Sequence, residues 1–343
     1  MDINVTVLAG GTGSERQVSL ESGKYIAQAL HQAGMIVRTA DITPDNLTAL
    51  DDPQTDVFFI ALHGQFGEDG QLQAILEQRK LTYTGCDAKS SCLAFDKIAA
   101  RERFAQASVP LAEAIIFKHN TTQSIPVTQS DPVTQSDSAI QNTTADYCVS
   151  ANQNTEQAEE QLRALKNLSG EKFVVKPARQ GSSVGVSIVS GADKAIEAVK
   201  KTAEQFGDCI IECFVPGKEI TVGIVGDNVL PIIEIRPTTP FYDYKAKYVD
   251  NSTKYLFDTV ENPETIDRIN VLAKKCFDAL GCRDFARVDF ILADDGTPYV
   301  LEINTIPGFT AHSLLPKAAA RAGMDMPRLC RMIVEAALER KST

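Results

Sequence analysis

The chain has 343 residues, a formal net charge of −11, and eight cysteines that form no Cys-x-x-Cys pair. The acidic balance argues against a general nucleic-acid binder, and the lack of an apolar run of about 18 residues argues against a membrane-spanning helix. Scattered cysteines in apolar stretches predict reduced, mostly buried thiols in a cytoplasmic protein.

Predicted strands and helices alternate in the first third of the chain. Residues 3–11 predict a strand that runs into a glycine turn, 18–34 a helix, and 35–42 and 56–64 two further strands. This strand–helix–strand order is typical of a parallel α/β sheet. We therefore expect an N-terminal α/β domain over residues 1–97.

The next part of the chain contains a polar stretch, residues 118–157. It is rich in Thr, Ser and Gln, and the sequence PVTQSD occurs at 126–131 and again at 132–137. Such a composition lacks the apolar side chains that a packed core needs. We expect a surface insertion here.

The second half mixes helices with antiparallel strands, unlike the first. Residues 172–189 predict a strand, a glycine-rich loop and a second strand, and 218–237 predict a hairpin with an Asp-Asn centre. A short strand is predicted at 208–215. Helical patterns cover 156–168, 194–206, 263–281 and 326–341.

Another hairpin is predicted over residues 286–304. Asp295-Gly296 is a strong signal for a two-residue turn, which would place Asp294 opposite Thr297. Side chains alternate between the two faces of a strand. In this register the face that supplies the core carries Val288, Phe290, Leu301 and Ile303.

The opposite face of this hairpin carries polar residues. Asp289 falls opposite Glu302, and Arg287 falls opposite Asn304. Two carboxylates about 5 Å apart repel each other unless one is protonated, a cation lies between them, or the register differs. Oxygen donors without His or Cys suit Mg²⁺. The alternative is a solvated face on which Arg287 neutralises its neighbours.

The glycine-rich loop is a candidate phosphate site. Gly181 and Gly185 enclose Ser182 and Ser183, so the loop can present N–H groups and hydroxyls to a phosphate. Lys176 precedes the glycines, which excludes the GxxxxGK[ST] arrangement. The alternative is a flexible hairpin tip.

Two polar residues follow predicted strands of the first domain. Glu15 comes after a glycine turn at the carboxyl end of the first strand, where ligands often bind, or it offsets the dipole of the next helix. Arg16 stands where a dinucleotide-binding pattern needs glycine, so that interpretation fails. His63 ends another strand, and a buried core histidine is its alternative.

Six motifs occur in order along the chain: GGTGSERQVSLESG, HGQFGEDGQLQAILE, KPARQGSSVGVSIV, FYDYKAKY, ARVDF and LEINTIPGFTAHSLLP. Together they resemble those of the D-alanine–D-alanine ligases, a family of the ATP-grasp superfamily. The resemblance covers essentially the whole chain outside residues 118–157. It implies an ATP-grasp fold in which the N-terminal parallel α/β domain is followed by two α+β domains, 98–211 and 212–343, that clasp a nucleotide.

The resemblance implies a reaction. ATP phosphorylates the carboxylate of one D-alanine, and the amine of a second D-alanine displaces phosphate, giving D-alanyl-D-alanine for peptidoglycan synthesis. The alternative is a related ligase with D-lactate, D-serine or another D-amino acid as second substrate. The resemblance further implies a cytoplasmic homodimer that binds neither nucleic acid nor membrane.

The resemblance also assigns roles to individual residues. Two Mg²⁺ ions, with Mn²⁺ as an alternative ion, would be bound by Asp289, Glu302 and Asn304. Nucleotide contacts are implied for Lys97, Lys176, Ser183, Glu212, Cys213, Phe214, Val215, Glu219 and Lys247. Substrate contacts or catalytic roles are implied for Glu15, His63, Ser182, Tyr248, Arg287, Gly308, Ser313 and Leu314, with His63 as a candidate general base.

Overall fold

The computed structural model describes residues 3–119, 148–151, 172–237 and 253–341. Their contacts form two compact units. The larger unit contains the described residues of Met1–Leu111, Gln180–Val184 and Val215–Thr343, and the smaller unit those of Ala112–Arg179 and Gly185–Phe214. The predicted division at residues 97 and 211 stays a prediction. Within the described ranges, no helix is long and apolar enough to cross a membrane.

The larger unit begins with a three-stranded parallel sheet, as predicted. Its strands, in the order β2-β1-β3, are β1 (Asn4–Gly10), β2 (Ile36–Ile42) and β3 (Val57–Ile60), and helix α1 (Arg16–Gln32) joins β1 to β2. The central strand β1 is buried from its second residue onward, which explains its nearly continuous apolar sequence. Parallel strands β1 and β3 end at one edge of the sheet, and Glu15 and His63 follow them there.

Three short helices follow that the sequence interpretation did not identify: α2 (Gln71–Gln78), α3 (Ala88–Phe95) and α4 (Lys97–Gln106). Two of them begin at an aspartate N-cap. The Asp87 carboxylate accepts from Ser90 N at 2.7 Å, and that of Asp96 accepts from Ile98 N at 3.0 Å. These bonds satisfy N–H groups that a helix start leaves free. The second cap places Lys97 at the first position of α4.

Gly70 lets α2 begin close to the start of α3, and we expect Gly70→Ala to destabilise the larger unit. Its φ is +91°, and a Cβ there would lie 2.5 Å from the Ala88 carbonyl oxygen. We expect about 3 kcal/mol of lost stability, because left-handed strain and overpacking each cost about 1–3 kcal/mol. Gly34→Ala is the matched control, since φ is +84° and nothing lies within 4 Å. Thermal unfolding should show a much smaller loss for Gly34→Ala, and equal losses would contradict the close approach.

The smaller unit is built on a five-stranded sheet in the order β5-β4-β8-β6-β7. Helix α5 (Ala192–Phe206) packs against it through Ala195, Val199 and Ala203. The strands are β4 (Ala114–Phe117), β5 (Cys148–Ala151), β6 (Lys172–Pro177), β7 (Ser187–Ser190) and β8 (Cys209–Cys213). The predicted strand–loop–strand over 172–189 is confirmed, because β6 and β7 pair antiparallel.

One part of the predicted insertion belongs to this sheet. Residues Cys148–Ala151 form β5 and pair in parallel with β4. Four residues can add to a sheet edge without supplying a core of their own, and the expectation of a surface insertion over 118–157 stays a prediction. The remaining residues 120–147 and 152–157, and the predicted helix at 156–168, lie outside the described residues.

The second sheet of the larger unit is antiparallel, with the order β12-β11-β9-β13-β14, and β10 pairs with β9. The strands are β9 (Gly217–Val225), β10 (Asn228–Val229), β11 (Ile233–Arg236), β12 (Lys254–Leu256), β13 (Phe285–Ala293) and β14 (Pro298–Asn304). Strand β13 lies between β9 and β14 and is paired on both sides. The residues on β13 are therefore held by two neighbouring ladders.

The turn of the β9–β10 hairpin differs from the prediction by one residue. Asn228 pairs with Val225, so the two-residue loop is Gly226-Asp227 instead of Asp227-Asn228. Gly226 has φ +57°, a backbone conformation that glycine adopts without strain.

The turn of the β13–β14 hairpin also differs from the prediction. Ala293 N donates to Thr297 O at 2.9 Å, so the loop has three residues, 294–296, and Asp294 does not pair with Thr297. Gly296, with φ +79°, takes the left-handed position of such a loop. The register shifts back by one between Asp289 and Phe290. Leu301 is the extra residue of this bulge; it is only partly buried, and Val300 takes the core position predicted for it.

Three more helices complete the larger unit: α6 (Pro263–Ala279), α7 (Leu314–Arg321) and α8 (Met326–Lys341). Helix α6 places Ile269, Ala273 and Phe277 in one core cluster with Val288 and Phe290 of β13. The apolar face of β13 is thus covered by a helix, and its polar face is left for the cavity described below.

The prediction that the cysteines are mostly buried is confirmed for the side chains that the structure describes. Cys92 is exposed, and the other described cysteine side chains are buried free thiols: Cys86, Cys209, Cys213, Cys276, Cys282 and Cys330. Burial raises the pKa of the Cys276 thiol to about 12, which keeps it protonated and unreactive.

Candidate active site

The polar face of the β13–β14 hairpin brings two carboxylates together. Asp289 pairs with Glu302 and Arg287 with Asn304, as counted from the sequence. The two errors in the predicted register, at the turn and at the bulge, cancel at these positions. Both carboxylates and the amide therefore face the same side of the sheet.

Asp289 is held by two neighbours. Arg287 donates from Nε to Oδ1 at 2.9 Å and from Nη2 to Oδ2 at 2.8 Å, and the Thr221 hydroxyl on β9 donates to Oδ1 at 2.5 Å. The carboxylate is 5 % exposed. Because Arg287 binds through two N–H groups, it fixes the orientation of this buried carboxylate.

Glu302 has a different cationic partner. Lys97 Nζ lies 3.2 Å from Glu302 Oε2 and also donates to the Gln180 carbonyl at 2.6 Å. The lysine at the start of α4 thus joins the hairpin to the glycine-rich loop. Arg287 neutralises Asp289, as in the alternative, but Asp289 is buried and does not lie on a solvated face. Glu302 pairs with Lys97.

The donor set fits Mg²⁺. Asp289, Glu302 and Asn304 offer only oxygen donors, which a hard divalent cation prefers. The Asn304 side-chain oxygen accepts from Ile306 N at 3.0 Å and keeps a second lone pair. Among the described residues no three His, Cys, Asp or Glu side chains are grouped as a metal site. The third predicted ligand is an amide, which lies outside that set of residue types.

These residues line two adjoining cavities in the larger unit. The second of them has a volume of about 90 Å³ accessible to water. The two cavities share Glu15, Glu68, Ser182, Glu302 and Asn304. Lys97, Gln180 and Gly181 belong to the first cavity alone. The second cavity adds His63, Arg287, Asp289, Gly308, Ser313 and Leu314.

Glu15 is held at the start of α1 by the glycine-rich loop. It is 7 % exposed and accepts a hydrogen bond from the Ser182 hydroxyl. A Cβ at Gly64, whose φ is +71°, would lie 2.7 Å from Glu15 Oε2, so the backbone of Gly64 approaches this carboxylate closely. Ser182 and Ser183 have φ values of +51° and +59°. Such strained residues cluster at functional sites, which supports a site at this loop.

His63 is buried, and both of its ring nitrogens have protein partners. Nδ1 lies 2.9 Å from the Ile306 carbonyl oxygen and 3.4 Å from Glu68 Oε1, and Nε2 lies 3.1 Å from the Ser22 hydroxyl. This arrangement leaves little scope for His63 to take a proton from a substrate. The general-base role stays a prediction that the geometry does not favour.

Glu68 and Thr221 were not singled out from the sequence. Burial raises the pKa of the Glu68 carboxyl, the charge of Glu15 adds to this, and the hydrogen bond with His63 opposes it. The nearby strand end at His63 was a signal for Glu68. Thr221 could not be found without the strand register, because it contacts Asp289 from a different strand.

The segment after β14 forms another wall of the second cavity. A Cβ at Gly308 would lie 2.7 Å from the Ser313 hydroxyl oxygen, so the backbone approaches α7 closely. Ser313 is the N-cap residue of α7 and accepts from Thr310 N at 2.9 Å. Leu314 follows as the first residue of the helix and is buried.

The remaining predicted nucleotide residues divide between the two units. In the smaller unit Lys176 on β6 lies 2.8 Å from Glu212 on β8, and both are buried. Cys213 ends β8 and Phe214 follows it. Val215 and Glu219 belong to the larger unit. Lys247 and Tyr248 lie outside the described residues.

Family models match both ends of the chain. The model for the D-ala D-ala ligase C-terminus matches residues 139–335, and the model for the D-ala D-ala ligase N-terminus matches residues 48–86. The first match alone covers more than half of the chain and includes every predicted metal ligand.

Similar proteins carry the same description. A D-alanine–D-alanine ligase of Anaeromyxobacter sp. (strain K) is 36 % identical over 97 % of this chain and 96 % of its own length. The ligase of Desulforamulus reducens is 36 % identical over 99 % of this chain and 100 % of its own length.

Solved structures share the fold. The Bacillus anthracis D-alanine–D-alanine ligase complexed with ATP has a TM-score of 0.76 and 31 % identity, covering 100 % of this chain and 99 % of that one. The VanG D-Ala:D-Ser ligase of Enterococcus faecalis has a TM-score of 0.77 and 25 % identity, covering 98 % and 100 %. This chain thus has the ATP-grasp fold and belongs to the D-alanine–D-alanine ligase family.

Proposed function

We propose that this chain joins two D-alanine molecules into D-alanyl-D-alanine at the expense of ATP. The observation that carries the proposal is the cavity where Asp289, Glu302 and Asn304 meet Arg287 and Gly308. Oxygen donors for Mg²⁺ and donors for a developing oxyanion are the two things that acyl-phosphate chemistry requires.

The first step is phosphoryl transfer. A carboxylate oxygen of the first D-alanine attacks the γ-phosphorus of ATP, and the bond to ADP breaks. Mg²⁺ bound by Asp289, Glu302 and Asn304 would neutralise phosphate charge when present. Lys97 adds positive charge beside Glu302. We assign the remaining nucleotide contacts to Lys176, Ser183, Glu212, Cys213, Phe214, Val215, Glu219 and Lys247.

The second step is amide formation. The amine of the second D-alanine attacks the acyl phosphate carbon, phosphate leaves, and the amine loses a proton. We assign oxyanion stabilisation to Arg287 and the Gly308 N–H. Ser313 and Leu314 at the start of α7 receive the second substrate's carboxylate, a helix terminus where an anion is favoured.

We assign Glu15 to the ammonium group of the first D-alanine. Its carboxylate is buried, lines both cavities and is oriented by the Ser182 hydroxyl. An ammonium group would offset the cost of burying this charge. We assign Tyr248 to the same network and His63 to the support of the site.

The alternative is a different second substrate, and the VanG D-Ala:D-Ser ligase is the observation that favours it. That structure has the same fold at 25 % identity, against 31 % for the Bacillus anthracis enzyme. The likeness in sequence therefore favours D-alanine.

We further propose that the protein acts as a homodimer in the bacterial cytoplasm, with ATP and D-alanine as its partners and no role for nucleic acid or membrane.

One assay tests this proposal. The protein is incubated with ATP, Mg²⁺ and D-alanine, and ADP and dipeptide are both measured. We expect them to appear in equal amounts. ADP release without dipeptide would reject the proposal. Addition of D-serine or D-lactate as competitor should yield little mixed product, and a dominant mixed product would support the alternative.

A further inference from the structure

A buried chain of hydrogen bonds ties helix α1 to the segment that carries Gly308. Phe309 N lies 3.3 Å from the Ser22 hydroxyl oxygen, which lies 3.1 Å from His63 Nε2. His63 Nδ1 lies 2.9 Å from the Ile306 carbonyl oxygen. Ser22 is completely buried.

The direction of each bond follows from the chemistry of its ends. The Phe309 N–H can only donate, so the Ser22 oxygen accepts it and has one proton to give. The Ile306 carbonyl can only accept, so Nδ1 of His63 carries the ring proton. Nε2 of a neutral ring then accepts from Ser22. Every donor and acceptor in this series of hydrogen bonds is used, and no second arrangement satisfies all of them.

This series of hydrogen bonds begins and ends on the backbone on either side of Gly308. Its two ends are the Ile306 carbonyl and the Phe309 N–H, and Gly308 lies between them in sequence. The Phe309 ring packs edge-on against Phe59 and Phe285, at centroid distances of 5.7 and 5.6 Å. That packing holds the Phe309 side chain in place, but it does not fix the rotation of the neighbouring peptide planes. The hydrogen bonds to Ser22 and His63 do so because they are directional.

We propose that Ser22 is a positioning residue that, with His63, aims the Gly308 N–H at the reacting carbonyl. This inference rests on the proposed function, since it takes Gly308 as an oxyanion donor. Ser22 itself lines neither of the two cavities. It acts from the first helix of the chain on a backbone segment 287 residues later.

Ser22→Ala tests the proposal. The variant leaves the Phe309 N–H and His63 Nε2 without their partner, and a small misplacement of a catalytic group can cost about 100-fold in rate. We expect kcat for dipeptide formation to fall by about 10- to 100-fold. The KM values for ATP and D-alanine should change by less than about twofold, because the oxyanion forms only in the transition state.

Ser91→Ala is the matched control. Ser91 is also a completely buried serine in a helix, and its hydroxyl has no hydrogen-bond partner among the described residues. We expect its kcat to equal that of the unchanged protein. Ser22→Cys should lie between the unchanged protein and Ser22→Ala, since a thiol is a weak donor and acceptor. Thermal unfolding of each variant reports any loss of folded protein.

A double-mutant cycle separates positioning from an effect on packing. If Ser22 acts through His63, the kcat of Ser22→Ala/His63→Ala should be within about twofold of the slower single variant. Additive losses, an unchanged kcat in Ser22→Ala, or an equal loss in Ser91→Ala would overturn the inference. Failure of the proposed function is a different result, because the unchanged protein would then form no dipeptide.

Discussion

Replacing Asp289 with asparagine should lower the rate of dipeptide formation by on the order of a hundred- to a thousandfold or more. Asparagine keeps the size of the side chain but removes the charge that a divalent cation needs. A bound metal contributes several kcal/mol to phosphoryl transfer, and about 1.4 kcal/mol corresponds to each tenfold in rate. Asp289 and Glu302 are the two carboxylates among the predicted metal ligands, so Glu302→Gln should have a loss of the same order.

The control for Asp289→Asn is Asp52→Asn. Asp52 also pairs with an arginine, Arg38, but on the surface and away from the cavity. Its removal should leave activity unchanged. Mn²⁺ binding, followed by electron paramagnetic resonance, gives a readout besides turnover, and we expect weaker binding in Asp289→Asn and Glu302→Gln only. Turnover at the original rate in both variants would remove these residues from the metal site.

Glu302→Gln also tests whether the loss of activity in Asp289→Asn comes from misfolding. Asp289 is almost fully buried against Arg287, so its replacement leaves a buried cation with a weaker partner and lowers stability. Glu302 is 28 % exposed in its side chain and pairs with Lys97, which makes its replacement milder. If the two variants lose activity equally but stability unequally, the loss of activity comes from weaker metal binding and not from misfolding.

Periodicity predicted most of the regular elements. The central strand β1, helix α1 and the β6–β7 pair lie where their patterns placed them, because each has one clear apolar face or a continuous apolar run. The short helices α2, α3 and α4 were missed. Each has only 8 to 10 residues, too few for a helical pattern to stand out from its surroundings.

The hairpin shows why the pairing of Asp289 with Glu302 can be predicted correctly from a wrong turn. Asp295-Gly296 is compatible with a two-residue loop and with a three-residue loop whose glycine is left-handed. The chain adopts the longer loop, and a bulge at Leu301 shifts the register back. Sequence alone cannot locate such a bulge, because it depends on how β13 and β14 bend within the sheet.

Contacts between distant segments were beyond the sequence. Ser22 and Thr221 look like ordinary polar residues of a helix and a strand. Their partners are up to 287 residues away, as for Ser22 and Phe309. Only the folded positions of α1, β9 and β13 show that these side chains support the cavity.

Arg287→Lys should lower kcat by about 100- to 1,000-fold, the usual cost of losing one oxyanion donor. Arginine binds Asp289 through two parallel N–H bonds of 2.9 and 2.8 Å, which fix the plane of its guanidinium group. Lysine keeps the charge but offers a single flexible ammonium. The KM values for ATP and D-alanine should change little, because the interaction forms only in the transition state.

Two explanations of such a loss can be separated. Arg287 could stabilise the oxyanion directly, or it could act only by holding Asp289 in place for the metal. Mn²⁺ affinity distinguishes them: direct stabilisation leaves the affinity near its original value while kcat falls. A parallel loss of Mn²⁺ affinity would contradict the oxyanion role. Arg38→Lys, which alters only surface contacts with Asp52 and Gln54, should change neither quantity and so sets the baseline for an Arg-to-Lys replacement.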